Sequence, residues 1–430
     1  MGRIETAVAR LELWLETMRG PGGYGGPVAH WWQQSLVYTG PGLDWRYEGI
    51  VAGYLQLWQR TGQQIWLAKA CRAGDDLLAG QLENSHFAAS AFELNPATGG
   101  TPHEAAADYA LLRLAKTLKQ VGQSGWGKYL AAAENNLTSY FIGRLWSGEY
   151  RIFRDSPTGL TFVPNKAATI CEALFELIEL TGKTDWLRLY IQPTLDKIIE
   201  HQVQSGKLAG AVAQNSFGAR RIEKYFPIYN ARCVAALRRG NQVFGDSKYL
   251  ESALAIMEFI SRWVRPDGSL PTVIYDNGES SKYPLWVAPL GDVLRAADEV
   301  RPNGFNQNFS STLEFLLAGQ DISGGIQTAR GFAAQAGGKP STLPDLRDIL
   351  HVAGWCDKAF RYLASQVGDE PLPEVTTGAF EADCVFQGKK LRFLETAEKL
   401  EIRQSNARIV YSWQKGQDWA ATTAPEFWLR

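Results

Sequence analysis

Apolar and polar positions alternate along most of this chain at the three-to-four-residue spacing of amphipathic helices, and the stretches come in two kinds. Segments such as WLAKACRAGDDLLAGQL and WLRLYIQPTLDKIIEHQ interleave apolar residues with Lys, Asp and Glu, the pattern of a helix with one wet face. Segments following Pro102, Pro164, Pro227 and Pro284 are rich in Ala and Leu and poor in charge, the pattern of a helix covered on most sides. The first kind is expected outside and the second inside.

The two kinds are punctuated at even intervals. Gly62 with Trp66, Gly122 with Trp126 and Gly182 with Trp186 repeat one turn every sixty positions; Gly245 with Tyr249 and Gly304 with Phe305 and Phe309 continue it. A glycine closing a helix suits the left-handed position there, so each is read as a tight helix-to-helix turn. Pro41, Pro102, Pro164, Pro227, Pro284 and Pro344 form a second series at similar spacing, each expected at or just before the first turn of an inner helix. Six units of about sixty residues fit between Met1 and Gln366. Six helix pairs either close into a ring or stack as an open superhelix; the ring needs no capped ends and is the expectation. From Pro373 the pattern shifts to short alternating runs, AFEADCVF, KLRFLE, KLEIRQ and ARIVYSW, predicting a small antiparallel sheet. The division expected is an all-α barrel over residues 1–366 and a β-rich appendage over 367–430.

Connections into the inner helices are long, about twenty residues, as at Glu83–Thr101, Gly148–Val163, Gly206–Phe226 and Asp267–Tyr283. In a closed ring all of them gather at the end where the inner helices begin, and a pocket is expected there. The first such segment holds His30, Trp31, Trp32, Tyr38, Trp45 and Tyr47; flat apolar rings beside hydrogen-bonding groups suit a sugar.

The paired helices and the repeated turn, seen as TGQQIWL and TGKTDWL, resemble the six-hairpin glycosidase superfamily over about 365 residues. That resemblance implies an (α/α)6 toroid of six inner and six outer helices. It also implies an activity within a range that includes glycoside hydrolases, unsaturated glucuronyl hydrolases, sugar epimerases, polysaccharide lyases and uronyl epimerases. No single family's catalytic motif is visible.

Composition narrows the function. The formal net charge of -1 and the absence of Lys/Arg runs argue against a nucleic-acid partner. Acidic residues interrupt the apolar N-terminal stretch MGRIETAVARLELWLETM, so neither a leader nor a membrane span is expected and a cytoplasmic location is the default. The five cysteines are scattered with no zinc-ligand spacing. No GxxxxGK[ST] phosphate loop and no GxGxxG fingerprint between a strand and a helix is read in the chain, so no cofactor is expected, and there is no GxSxG elbow.

Glycoside cleavage needs two carboxyl groups. Asp44 and Glu48 in LDWRYEGIV, and Glu104 and Asp108 beside His103 in TPHEAAADYALL, are each four residues apart and share a helix face, and these four are the expected catalytic carboxylates. Tyr225, in QNSFGARRIEKYFPIYN, is the candidate base for an elimination or epimerisation if neighbouring cations lower its pKa. The expected substrate contacts are Trp31, Trp32, Trp45, Tyr47, His103, Arg151, Lys166, Arg221, Tyr229, Asp276, Tyr283 and Trp286. PDLRDILHVAGW is read as the sixth inner helix, with Asp348 and His351 on one face but no third metal ligand. The leading expectation is a carbohydrate-active enzyme working by acid/base catalysis on an oligosaccharide or uronic-acid-containing glycan, hydrolysis first, with a small molecule or oligosaccharide as its partner. The competing classes are a terpenoid cyclase-like enzyme, which the missing DxDD motif disfavours, and a non-catalytic glycan-binding scaffold.

Overall fold

The computed structural model describes residues 2–28, 37–39, 41–88, 99–332 and 342–417. Its helices alternate between two concentric layers. The inner layer is α2 (Arg46–Thr61), α4 (Glu104–Gln120), α6 (Pro164–Thr181), α8 (Pro227–Phe244), α10 (Leu290–Val300) and α13 (Ala353–Ser365). The outer layer is α1 (Arg3–Thr17), α3 (Gln64–Ala79), α5 (Trp126–Asn136, continued as a wider π-helical stretch to Leu145), α7 (Gln192–Glu200, preceded by a π turn from Leu187), α9 (Ser247–Ser261) and α11 (Ser310–Leu317). Each inner helix packs on the next and α13 returns to α2, so the ring closes. The open superhelix is excluded.

The glycine series marks where inner helices stop. Gly62, Gly182 and Gly245 cap α2, α6 and α8 with φ of 68°, 77° and 66°, a left-handed conformation that an L side chain resists. A Cβ added at any of the three meets nothing within 4 Å, so backbone geometry alone explains these glycines. The proline series is less regular than its spacing suggests. Pro164 and Pro227 are first-turn residues of α6 and α8, but α2 begins five residues after Pro41 and α10 six after Pro284. After Pro344 comes only the one-turn helix α12 (Leu346–Ile349), and the inner helix starts at Ala353. The expectation that Asp345, Asp348 and His351 ride on the sixth inner helix is therefore corrected. Asp345 and Asp348 form the capping box of α12, and His351 lies in the extended link to α13.

Two inner-helix contacts are closer than side chains permit. A Cβ at Gly49 of α2 would stand 2.3 Å from the Asp357 carbonyl oxygen, and one at Gly291 of α10 would stand 2.3 Å from that of Lys358. Helix α13 is thus seated between two glycine-bearing neighbours, where the last unit meets the first.

The C-terminal segment forms a four-stranded antiparallel meander, with strands Phe380–Phe386, Lys389–Glu395, Lys399–Gln404 and Ile409–Gln414 paired in chain order. One buried carboxylate ties it to the helices: Glu395 accepts from Trp14 Nε1 of α1 (2.9 Å) and Lys415 Nζ (2.8 Å), and sits 2.6 Å from His351 Nδ1.

Candidate functional site

Because outer and inner helices run antiparallel, every outer-to-inner connection emerges at one end of the ring. A cavity of about 310 Å³ opens at that end, and all six inner helices contribute to it at or just before their first two turns. Trp45 and His103 immediately precede α2 and α4, and Asn165 and Lys166 lie in the first turn of α6. Tyr229 and Arg232 come from α8, Asp292 from α10, and Trp355 and Lys358 from α13. The long connections add Asp155, Thr161, Gln214 and Asn215.

The floor is a network of charges crossing the ring. Arg232 on α8 donates to Glu48 on the opposite helix α2 (2.6 Å), to Asp292 (3.1 Å) and to Thr169 (3.0 Å). Arg361 of α13 joins the same two carboxylates, donating to Asp292 at 2.7 Å and pairing with Glu48. Burial by itself would raise both acids, but the guanidinium groups of Arg232 and Arg361 hold Glu48 well below the usual carboxylate range and lower Asp292 as well. Lys358 Nζ donates to Asp357 (2.7 Å) and to the Trp45 carbonyl (2.8 Å) and lies over the Trp45 ring at 5.2 Å. Burial pushes the Asp357 carboxyl up to about 7 despite that ammonium.

The walls are aromatic on one side and polar on the other. Trp45 and Trp355 meet at 4.6 Å between ring centroids, and Trp286 backs Trp355 at 5.2 Å. Across from them Lys166 donates to Asp155 at 2.8 Å, with both side chains partly exposed. Gln214 also belongs to this lining, and its side-chain carbonyl oxygen is buried with no hydrogen-bond partner among the described residues.

A three-stranded sheet borders the same wall: β1 (Thr161–Phe162), β2 (Asn215–Phe217) and β3 (Arg220–Ile222). Its alternation sorts side chains to two faces. Ser216 accepts or donates at 2.8 Å with His201 Nε2 and Phe162 packs on the same ring, so that face looks into the protein. Thr161 and Asn215, on the other face, line the cavity.

Of the residues singled out from sequence, Trp45, His103, Lys166 and Tyr229 line the cavity. Glu48 lies directly beneath it, buried and ion-paired. Asp44 is buried against Arg46, accepting from its backbone and side chain, and Glu104 accepts from Gly100 N, Asn136 and His86. Asp108 is fully buried, without a hydrogen bond among the described residues, and burial, reinforced by Glu104, raises it well above the usual range. Neither Asp44, Glu104 nor Asp108 is among the cavity's lining residues. Tyr47 is buried, its hydroxyl held between Tyr24 N and Asp76, and Trp286 stands behind the wall.

Arg151 occupies an exposed turn at φ 54°, Asp276 caps its own exposed turn by accepting from Asn277 N, and Tyr283 is exposed outside the lining. Arg221 pairs with Ser216 across the strands, on the face turned away from the cavity, while its neighbour Arg220 shares the sheet face of Thr161 and Asn215 without belonging to the lining. For Tyr225 the expected shift is reversed: burial and its hydrogen bond to Glu223 raise the phenol pKa, so the cations do not make it a base. Trp31 and Trp32 lie outside the described residues.

Asp155, Arg232, Asp292, Trp355 and Lys358 were not chosen as site residues from sequence. One signal was present: Asp357 and Lys358 interrupt the otherwise apolar run AGWCDKAF early in a covered helix, where paired charges are costly unless they face a functional cavity or each other. No group of three His, Cys, Asp or Glu side chains suited to a metal occurs among the described residues. No helix among them is long and apolar enough to cross a membrane.

No protein-family model and no curated protein matches the chain. Solved structures do. One described as a possible member of the GH105 family from Klebsiella pneumoniae is 9% identical with a TM-score of 0.62, over 84% of this chain and 92% of that one. A D-mannose isomerase is 11% identical at 0.62, over 84% and 96%. An α-1,6-mannanase variant from a Salegentibacter species, solved with α-1,6-mannotriose, is 12% identical at 0.60, over 85% and 99%. The architecture they share with this chain is the (α/α)6 toroid.

Proposed function

We propose that the protein is a carbohydrate-active enzyme that takes a sugar unit into the mouth cavity and acts on it by acid/base catalysis. The observation that carries this reading is the cavity's composition. Trp45, Trp355 and Tyr229 offer faces for the C–H side of a pyranose, while Asp155, Lys166, Asn165, Gln214 and Asn215 offer partners for its hydroxyls. The structural neighbours include proteins named as an isomerase and an α-1,6-mannanase, which fits a sugar ligand without choosing the reaction.

Hydrolysis is the first reading, with Asp155 and Asp292, the two carboxylates that line the cavity, in place of the four expected from sequence. Asp292 is held ionised by its two guanidinium partners and stabilises positive charge developing on the sugar; Asp155, reachable from solvent, exchanges the proton. A second reading, epimerisation or elimination, is favoured by one feature: both carboxylates are ion-paired with cations, whereas His103 brings an imidazole to the lining.

A product survey separates the two. Oligosaccharides and reducing sugars of mannose, glucose and glucuronate are incubated with the protein. New reducing ends mark hydrolysis, unsaturated absorbance marks elimination, and an altered sugar without bond cleavage marks epimerisation. Saturable binding without product would instead support the scaffold, and no binding at all would refute the sugar reading.

A further inference from the structure

Beyond the cavity, the β2–β3 hairpin carries an aromatic ring and a guanidinium that the sugar reading has not used. Phe217 is 62% exposed, unusual for a phenylalanine. Its register pairs it with Thr161 on one side and Arg220 on the other, and cross-strand partners share a face. Asn215, two positions along the same strand, lies on that face too. Since Thr161 and Asn215 line the cavity while Ser216 and Phe162 pack on His201, the register puts Phe217 and Arg220 on the same sheet face as those two lining residues, themselves outside the lining. Arg220 has neither ion pair nor side-chain hydrogen bond among the described residues, in contrast to Arg232 and Lys166 within the cavity.

We propose that this hairpin is a second sugar subsite, in which a glycosyl unit linked to the one in the cavity lies against the Phe217 ring and is hydrogen-bonded by Arg220. The proposal rests on the sugar reading of the cavity. One ring flanked by one guanidinium matches the apolar face and oxygen-bearing edge of a single pyranose. A protein partner would instead require an apolar patch of several hundred square ångströms. The register makes the platform continuous with the lining, so a chain leaving the cavity along this wall meets Phe217 next.

The test is calorimetric titration of the full chain with mono-, di- and trisaccharides of mannose, glucose and glucuronate, on wild type, Phe217→Ala, Phe217→Tyr and Arg220→Ala. Phe217→Ala is expected to weaken di- and trisaccharide binding by about tenfold and leave the monosaccharide unchanged, while Phe217→Tyr retains wild-type affinity. Arg220→Ala follows the same length dependence with a smaller loss. Equal affinity of wild type and Phe217→Ala for every length overturns the subsite while leaving the cavity reading intact. So does an equal loss on the monosaccharide, which would mean that the hairpin only shapes the cavity. A change in oligomeric state by light scattering, with saccharide affinity unchanged, assigns Phe217 to a protein contact instead. Failure of the wild type to bind any of the saccharides overturns both readings together.

Discussion

At the scale of single residues, two aspartates on the same scaffold have opposite fates. Asp155 is partly exposed at the cavity and its carboxylate faces Lys166; Asp155→Asn keeps the shape and removes the proton-carrying oxygen. Turnover of whichever sugar proves active is expected to fall by about 10²- to 10⁴-fold, with the helical circular dichroism unchanged. Unaltered turnover in that variant removes Asp155 from the chemistry. Asp108 is fully buried and unpartnered among the described residues, and its pKa is raised. An acid whose folded pKa exceeds its unfolded value favours folding below the unfolded pKa, near 4, and that contribution is lost as pH rises toward the folded value. Asp108→Asn is therefore expected to match wild type near pH 4 and to exceed it by about 1–3 kcal/mol at pH 8, read from urea denaturation at both.

At the scale of elements, glycines with different physical duties predict different costs. Gly182→Ala meets no neighbour and bears only the left-handed backbone penalty, about 1–2 kcal/mol. Gly49→Ala and Gly291→Ala drive a methyl into backbone carbonyls of α13, which cannot swing aside as a side-chain tip does; about 3 kcal/mol or more is expected. Denaturant midpoints rank the three, and a Gly182 variant as damaged as the Gly49 one would show that the seam is not closely packed. The proline series illustrates how far spacing carries. Proline at N1 of α6 and α8 follows from its missing N–H, but the same residue before α10 and α13 sits in a longer approach, because proline only forbids positions and does not start a helix by itself.

At the scale of the whole molecule, the terminal sheet is held to the ring by a chain of charges, partly buried Asp321 followed by the buried side chains of His351, Glu395 and Lys415. Burial would depress the His351 pKa, but Asp321 and Glu395 on either side push it up to about 10, and Lys415 with His351 holds Glu395 far below its usual value despite burial. The histidine's contribution is complete below about pH 6.5 and is lost as pH rises through about 10. The glutamate's is complete above about pH 4.5 and is lost as pH falls. Glu395→Gln leaves the imidazolium and ammonium under-compensated, at a cost of about 3–5 kcal/mol, and is expected to speed proteolysis in the segment preceding Phe380. His351→Gln is expected to abolish the alkaline loss of stability, measured as the midpoint of thermal unfolding from pH 7 to 10.5.

What the chain determined alone was its architecture. Helical period, the glycine turns and a sixfold count are local properties repeated along the sequence, and they sufficed for two helical layers, a closed ring, a terminal sheet and the end at which the long connections gather. Residues next to an inner-helix start, such as Trp45, His103 and Lys166, were legible because their distance along the chain from a visible boundary also set their height in the ring. Which way a side chain turns was decided only by tertiary packing. Trp45 lines the cavity while Tyr47, two residues on, is buried against α3; Arg220 and Arg221 take opposite faces of the sheet; Glu48 meets Arg232 across the ring from 184 positions away. A cavity assembled from six helix ends some sixty residues apart has no local signature, because its members become neighbours only once the ring has closed.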